Sequence, residues 1–164
     1  MPACFADVCL DKVNHMNRTE IEIRLAEEAD GAALAEIGRD DMGYTESTAE
    51  LVKNKLKNTL KKEDERVFVA VCDDHVVGFV HAERYDVLYY PTMVNILGLA
   101  VREPYRRFGI ATKLLTAAED WARVLDVKEI RLNSGITRLG AHEFYRRNGF
   151  TDEKEQKRFL KTLE

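Results

Sequence analysis

The chain predicts an α/β fold, a mixed sheet with helices on both faces. Three observations carry this. Two β-rich runs, Arg66–Cys72 and Val76–Tyr85, are separated only by Asp73-Asp74-His75 and read as a hairpin. The apolar run Ile96–Val101 is stopped by Pro104 and followed at once by a helical pattern, which makes a strand–turn–helix crossover. Helical patterns also precede the hairpin, so strands and helices surround one central helix.

Taken in order, Met1–Thr19 shows no periodicity. It is expected to be a mobile N-terminal extension, with residues 20–164 forming a single domain. Glu20–Leu25 alternates polar and apolar, the mark of a half-buried strand. Ala29–Asp41 carries Ala32, Ala33, Leu34 and Ile37 on one helical face, and Gly43 breaks it. Thr48–Lys62 is a second helix, capped by Ser47 or Thr48, with Leu51, Val52, Leu56 and Leu60 inside and its lysines on a solvated face. After the hairpin, Tyr89-Tyr90-Pro91 reads as a loop before the central strand. The central helix repeats Ile110, Leu114, Ala118, Trp121, Ala122 and Leu125 at helical spacing. Glu129–Asn133 is a short strand, Arg138–Arg147 a helix closed by Asn148-Gly149, and Gln156–Leu163 alternates enough for a final strand.

A chain of 164 residues suits one compact domain. Its net charge of −4 gives no basis for wholesale nucleic-acid binding. No apolar run approaches the roughly 20 residues of a membrane span, and the first residues lack a signal-peptide pattern. Cys4, Cys9 and Cys72 have no metal-ligand spacing, and His142 has no metal-spaced partner, so no metal is expected. An odd cysteine count without a framework fits a reducing cytoplasm.

The chemistry concentrates in Arg106-Arg107-Phe108-Gly109-Ile110-Ala111. A basic, glycine-bearing turn opens the central helix, whose first amides lack intrahelical partners and whose dipole is positive there. Small side chains at Gly109 and Ala111 let an anion approach the backbone. The turn suits a phosphate or diphosphate, or is simply a basic helix start. It has neither the Gly-Lys-Ser/Thr ending of a nucleotide-binding phosphate loop nor the Gly-x-Gly-x-x-Gly of a dinucleotide site.

Arg106-x-x-Gly109-x-Ala111, preceded by Leu99-Ala100-Val101, resembles the Arg/Gln-x-x-Gly-x-Gly/Ala signature of the GNAT N-acetyltransferase superfamily. A second stretch, Arg138-x-x-Ala141-His142-x-Phe144-Tyr145-x-x-x-Gly149-Phe150, resembles the later half of many of its small-molecule, bacterial-type members. Together the likeness runs from about Ile21 to the end. The resemblance implies a mixed, mostly antiparallel sheet whose central strands splay apart, and about four helices. It implies acetyl-CoA as acetyl donor. The diphosphate would rest on Arg106, Arg107, Phe108, Gly109, Ile110, Ala111 and Thr112. The pantetheine would lie along the backbone of Leu99, Ala100 and Val101. Arg138 stands where many relatives carry a cofactor-facing asparagine.

Acyl transfer to an amine has two proton problems. An aliphatic amine with a pKa of about 10.4 must lose a proton, and a leaving thiolate with a pKa near 8.5 must be stabilised. By the resemblance Tyr145 donates to the thiolate, although it could also simply pack against Phe144 and Phe150. The glutamate that the family often carries on its central strand is Asn95 here, which cannot take a proton. The base stays open among Glu83, His81, Asp86, Glu46 and a chain of waters. Glu83 is taken as the first candidate; it shares one strand face with His81 and Tyr85, a face that is either substrate-facing or solvated. Tyr44 and Glu46, in the loop between the first two helices, join His81, Glu83 and Asn95 as the expected substrate side. The expected function is acetylation of a primary amine on a small molecule by direct attack in a ternary complex. The alternatives are a protein N-terminal or lysine acetyltransferase, and a non-catalytic acyl-CoA-binding module. A homodimer through the exposed final strand is an expectation by analogy.

Overall fold

A computed structural model describes residues 21–163. The expected N-terminal extension lies outside the described residues. The chain packs as two units, one ending at Asn133 and the other beginning at Ser134.

The first unit is one five-stranded sheet in the order β1-β2-β3-β4-β5. Its strands are β1 Glu22–Leu25, β2 Glu65–Cys72, β3 His75–Val87, β4 Tyr90–Val101 and β5 Ile130–Leu132. The first three pairings are antiparallel and β4–β5 is parallel, so the expected mixed, mostly antiparallel sheet is found. The hairpin turn forms at Asp73 and Asp74, both left-handed at φ 47° and 62°. Short polar side chains tolerate that region best after glycine.

Helices α1 Gly31–Asp40 and α2 Ala49–Thr59 lie before β2, and α3 Ile110–Val124 lies between β4 and β5. A 3-10 turn, Glu28–Asp30, leads into α1. Thr48 is the cap of α2, accepting from Leu51 N–H at 3.2 Å. Ser47 is instead spent on the Ala35 carbonyl at 2.9 Å, which ties the end of the helix–helix loop back to α1.

Strand alternation divides the core in two. Val67 and Val69 pack with Leu34, Ile37 and Leu56 of α1 and α2. Phe68 and Ala70 point the other way, toward α3. Gly78 faces α3 as well: a Cβ there would sit 2.9 Å from the Ala100 carbonyl and 3.3 Å from Leu114. Leu114, Leu115, Ala118 and Ile110 of α3 are essentially inaccessible. The helices therefore cover both faces, as expected.

Two expectations need correction. Tyr90 and Pro91 belong to β4 rather than to a loop, and the turn is Leu88-Tyr89. Proline is tolerated there because the β5 ladder begins only at Val94, leaving Pro91 at a strand end where no donor is needed. The final strand over Gln156–Leu163 does not form: residues 151–163 carry no regular structure and are exposed. Six charged side chains lie between Asp152 and Arg158, and desolvating them on a sheet would cost more than the alternation returns. The edge expected to support a homodimer is therefore absent from these residues.

The second unit carries α4, Leu139–Arg147, closed by Asn148 and a left-handed Gly149 at φ 87°.

Candidate active site

The site begins where the parallel ladder stops. β4 pairs with β5 only at Val94, Asn95 and Ile96. Past Ile96 its outer edge is open to Val101. On the other edge the β3 register slips: Ala82 faces Ile96, while His81 faces Gly98. Leu97 is the extra residue, a β-bulge that bends the strand, and it is 47% exposed. This is the splay that the resemblance implies.

The hydrogen-bond phase says which groups the open edge presents. Arg102 N–H donates to the Val77 carbonyl at 2.8 Å. Alternation along an antiparallel pair then turns the Ala100 amide and carbonyl toward β3, and those of Leu99 and Val101 outward. Leu99 and Val101 can therefore serve an amide-bearing ligand arm, whereas the Ala100 backbone is committed to the sheet.

The edge runs into the start of α3. Gly109 caps that helix in the left-handed region at φ 78°, and Arg107 is left-handed too, at φ 70°. The first helical bond is Lys113 N–H to the Gly109 carbonyl, 3.1 Å. The amides of Ile110, Ala111 and Thr112 precede it, and no side chain caps them. A Cβ on Gly109 would meet nothing within 4 Å, so the approach is open. Unpaired amides at the positive end of a 15-residue helix fit a diphosphate. The residues present therefore fit coenzyme A. The Ile110 side chain is buried in the core, so only its backbone is on offer.

Arg106 is turned to a different task. Its Nε donates to the Val101 carbonyl at 2.9 Å, and an Nη donates to Asp41 at 2.9 Å. The same Asp41 oxygen accepts Glu103 N–H at 2.8 Å. Asp41, at the end of α1, thus clasps both ends of the turn that leads to Gly109. Arg107, like Arg106, is exposed.

A polar wall stands on the sheet face that carries α1 and α2. Asn95 Nδ2 donates to Glu83 at 2.9 Å. His81 meets Glu65 at 3.1 Å, and Glu65 also receives Thr59 and Lys62. Burial alone would raise the Glu65 carboxyl, but its hydrogen bonds from Lys62 and His81 outweigh this and hold it below the usual range. The structure thus brings together His81, Glu83 and Asn95. Asn95 Oδ1 is buried and has no partner. Tyr44 and Glu46 are exposed on the loop after α1, and no hydrogen bond joins their side chains to that wall. Asp86 is bound by Thr92 and Arg84, and alternation sets it on the face opposite Glu83.

In the second unit, the Tyr145 ring makes edge contacts with Phe144 and Phe150 at 5.3 and 5.7 Å. Burial pushes its phenol up, and the Arg138 charge pulls it part of the way back. The phenol is therefore a protonated donor throughout the neutral range. Arg138 is the N-cap residue of α4. His142 is structural, meeting the Gly135 carbonyl at 3.0 Å. Among the described residues no group of three His, Cys, Asp or Glu could hold a metal ion.

Sequence reasoning missed Asp41 and Glu65. Alternation extended back from Val67 places Glu65 on the His81 face, and that signal was available. Asp41 carries no local signal, because its partner Arg106 is more than sixty residues away.

The acetyltransferase (GNAT) family model matches residues 31–150. The chain belongs to the GNAT family. Its fold and its expected family are thereby borne out, with acetyl-CoA as the family's acyl donor. An N-alpha-acetyltransferase of Sulfurisphaera tokodaii is 31% identical over 103 residues, 58% of this chain. The chain spans 62% of the length of that curated relative. A transcriptional regulator from Bacillus halodurans C-125 superposes with a TM-score of 0.78 at 22% identity, over 85% of this chain and 99% of its own. The aminoglycoside acetyltransferase AAC(6')-Iy, solved with a bisubstrate analogue joining CoA to an acetylneamine, has a TM-score of 0.78 at 16% identity, over 88% of this chain and all of its own. At these identities both likenesses concern the fold alone. No described helix of this GNAT chain is long and apolar enough to cross a membrane.

Proposed function

We propose that this GNAT chain is a cytoplasmic enzyme that acetylates the primary amine of a small molecule, with residues 20–164 acting as one acetyltransferase domain. The observation that carries the reading is continuity: the open β4 edge at Leu99 and Val101 leads into the unpaired amides at Gly109–Thr112, and the Glu83–Asn95 pair stands on the same strands. Acetyl-CoA supplies the activated acyl group. The chain supplies position, which can contribute several kcal/mol to an acyl transfer. Val101 N–H points outward and is assigned to polarise the acetyl carbonyl. Glu83 is assigned as the acceptor of the amine proton, directly or through a water. Asn95 occupies one Glu83 oxygen and leaves the other available. Tyr145 is assigned the proton for the departing thiolate, from its motif and its protonated phenol.

The test is thiol release over a panel of amines, beside calorimetric titration with acetyl-CoA. Turnover with a small amine, lost in Glu83→Gln while acetyl-CoA affinity holds, supports the reading. Binding without turnover of any amine would leave an acyl-CoA-binding module. The Sulfurisphaera relative favours a second reading, acetylation of protein N-termini, and peptides turning over faster than every small amine would select it.

A further inference from the structure

A row of polar side chains crosses four strands. Glu65 on β2 is opposite Glu83 on β3, Glu83 is opposite Asn95 on β4, and Asn95 is opposite Arg131 on β5. Residues directly opposite share a face, so two carboxylates, an amide and a guanidinium stand side by side. With strands about 4.8 Å apart, the backbones of Glu83 and Arg131 are about 10 Å apart, with Asn95 midway.

The members of the row are not equally committed. Glu65 is taken by Lys62, Thr59 and His81. Glu83 receives one hydrogen bond, from Asn95 Nδ2. Turning that amide over would set Oδ1 against the carboxylate, so the pairing directs Oδ1 away from Glu83, where it is buried with no donor. Buried acceptors are almost always paired, so Asn95, between an acid and a cation, is the incompletely satisfied member of the row. The Arg131 guanidinium lies 4.8 Å from the centre of the Tyr85 ring and donates to Asn133 at 3.1 Å. It has five N–H groups, so donors remain for an anion. The Tyr85 face and the Asn133 bond hold it in place.

The geometry points to an acceptor that is itself a zwitterion: an amino acid, or another small molecule bearing a carboxylate near its amine, with the amine at Glu83 and the carboxylate at Arg131. Such a molecule spans Asn95, whose amide holds the Glu83 carboxylate in place. A row of acids alone would suit a polycation, whereas Arg131 repels one and thereby selects against it. The inference rests on the proposed function, since it takes Glu83 as the amine's partner.

The experiment compares α- and ω-amino acids with their own carboxamides at saturating acetyl-CoA, by thiol release, in the wild type, Arg131→Gln and Arg131→Lys. The expected wild-type result is kcat/KM at least about tenfold higher for one acid than for its carboxamide, the worth of one charge-assisted pair. In Arg131→Gln that ratio falls toward one through the KM of the acid, while the carboxamide is unaffected. Arg131→Lys keeps the charge without the fork and gives an intermediate ratio. Equal use of acid and carboxamide by the wild type overturns the inference, as does a ratio that survives Arg131→Gln. Turnover of polyamines or aminoglycosides with no amino acid turned over also overturns it, and leaves the proposed function standing. Failure to acetylate any amine, in protein that binds acetyl-CoA, overturns both.

Discussion

Replacing Gly109 with asparagine and with aspartate separates backbone strain from charge at the diphosphate loop. Both side chains enter open space, because nothing lies within 4 Å of the added Cβ. Both must hold φ near 78°, at about 1 kcal/mol for a short polar residue. That lowers the melting temperature by about 2–4 °C for a chain of this size, equally in both variants. They differ by one charge. A carboxylate about 5 Å from a bound phosphate is repelled by about 1 kcal/mol at the dielectric of water and about 3 kcal/mol at a partly buried site. The aspartate variant should therefore bind CoA about five- to 150-fold more weakly than the asparagine variant. The gap should narrow as salt rises from about 0.05 to 0.5 M. Calorimetric titration with CoA reads the difference, with pantetheine, which has no diphosphate, as the control. Equal CoA affinities in two equally stable variants would refute the placement of the diphosphate at these amides.

Asp41→Ala and Arg106→Ala should each weaken CoA binding and lower stability, and the double variant should fall short of their sum by about 0.5 kcal/mol or more, read by a thermal double-mutant cycle. Additive losses would show that the clasp around the loop is not a unit. Asp30 is buried and accepts two bonds from Arg24 and one from Glu27 N–H. Burial raises its carboxyl, but those bonds together outweigh it and leave the folded value below 3.8. Its contribution is therefore present above the unfolded pKa and lost as pH falls through the lower folded one. Asp30→Asn should cost about 1–3 kcal/mol at pH 7, and urea titrations should show the two proteins converging below about pH 4. Tyr145→Phe keeps both ring contacts and removes the donor, so kcat should fall about 10- to 100-fold with little change in melting temperature. Because burial raises the phenol, wild-type turnover should keep this donor up to at least about pH 10; an unchanged kcat in the variant would remove Tyr145 from the chemistry.

Most of the architecture was legible in the sequence, because its signals are local. The hairpin followed from β-rich runs around Asp73-Asp74, and α3 from apolar spacing that begins right after Gly109. The site was legible in proportion to how local its parts are. Gly109–Thr112 is a contiguous turn, and alternation alone put His81 and Glu83 on one face. The position of Asn95 beside Glu83 was not readable, since a register between strands depends on the length of the Leu88-Tyr89 turn and on a bulge that no residue type announces. Nor was the task of Arg106, whose partner Asp41 is sixty-five positions away. The missing final strand shows the opposite error: alternation over Gln156–Leu163 suggested a strand, but Phe159, Leu160 and Leu163 are all largely exposed.

The single extra residue at Leu97 acts on β4 as a frameshift acts on a message. Upstream of it, Asn95 looks toward α1 and α2 while Val94 and Ile96 look toward α3. Downstream, Gly98 and Ala100 take the α1–α2 side, and Leu99 and Val101 take the α3 side. Odd and even positions have exchanged meaning within four residues. Deleting Leu97 would therefore not merely trim an exposed side chain. Gly98 would follow Ile96 in an unbroken register with β3, with Leu99 and Val101 still on the α3 side. What would be lost is the bend, and with it the punctuation that ends the β5 ladder and opens the edge.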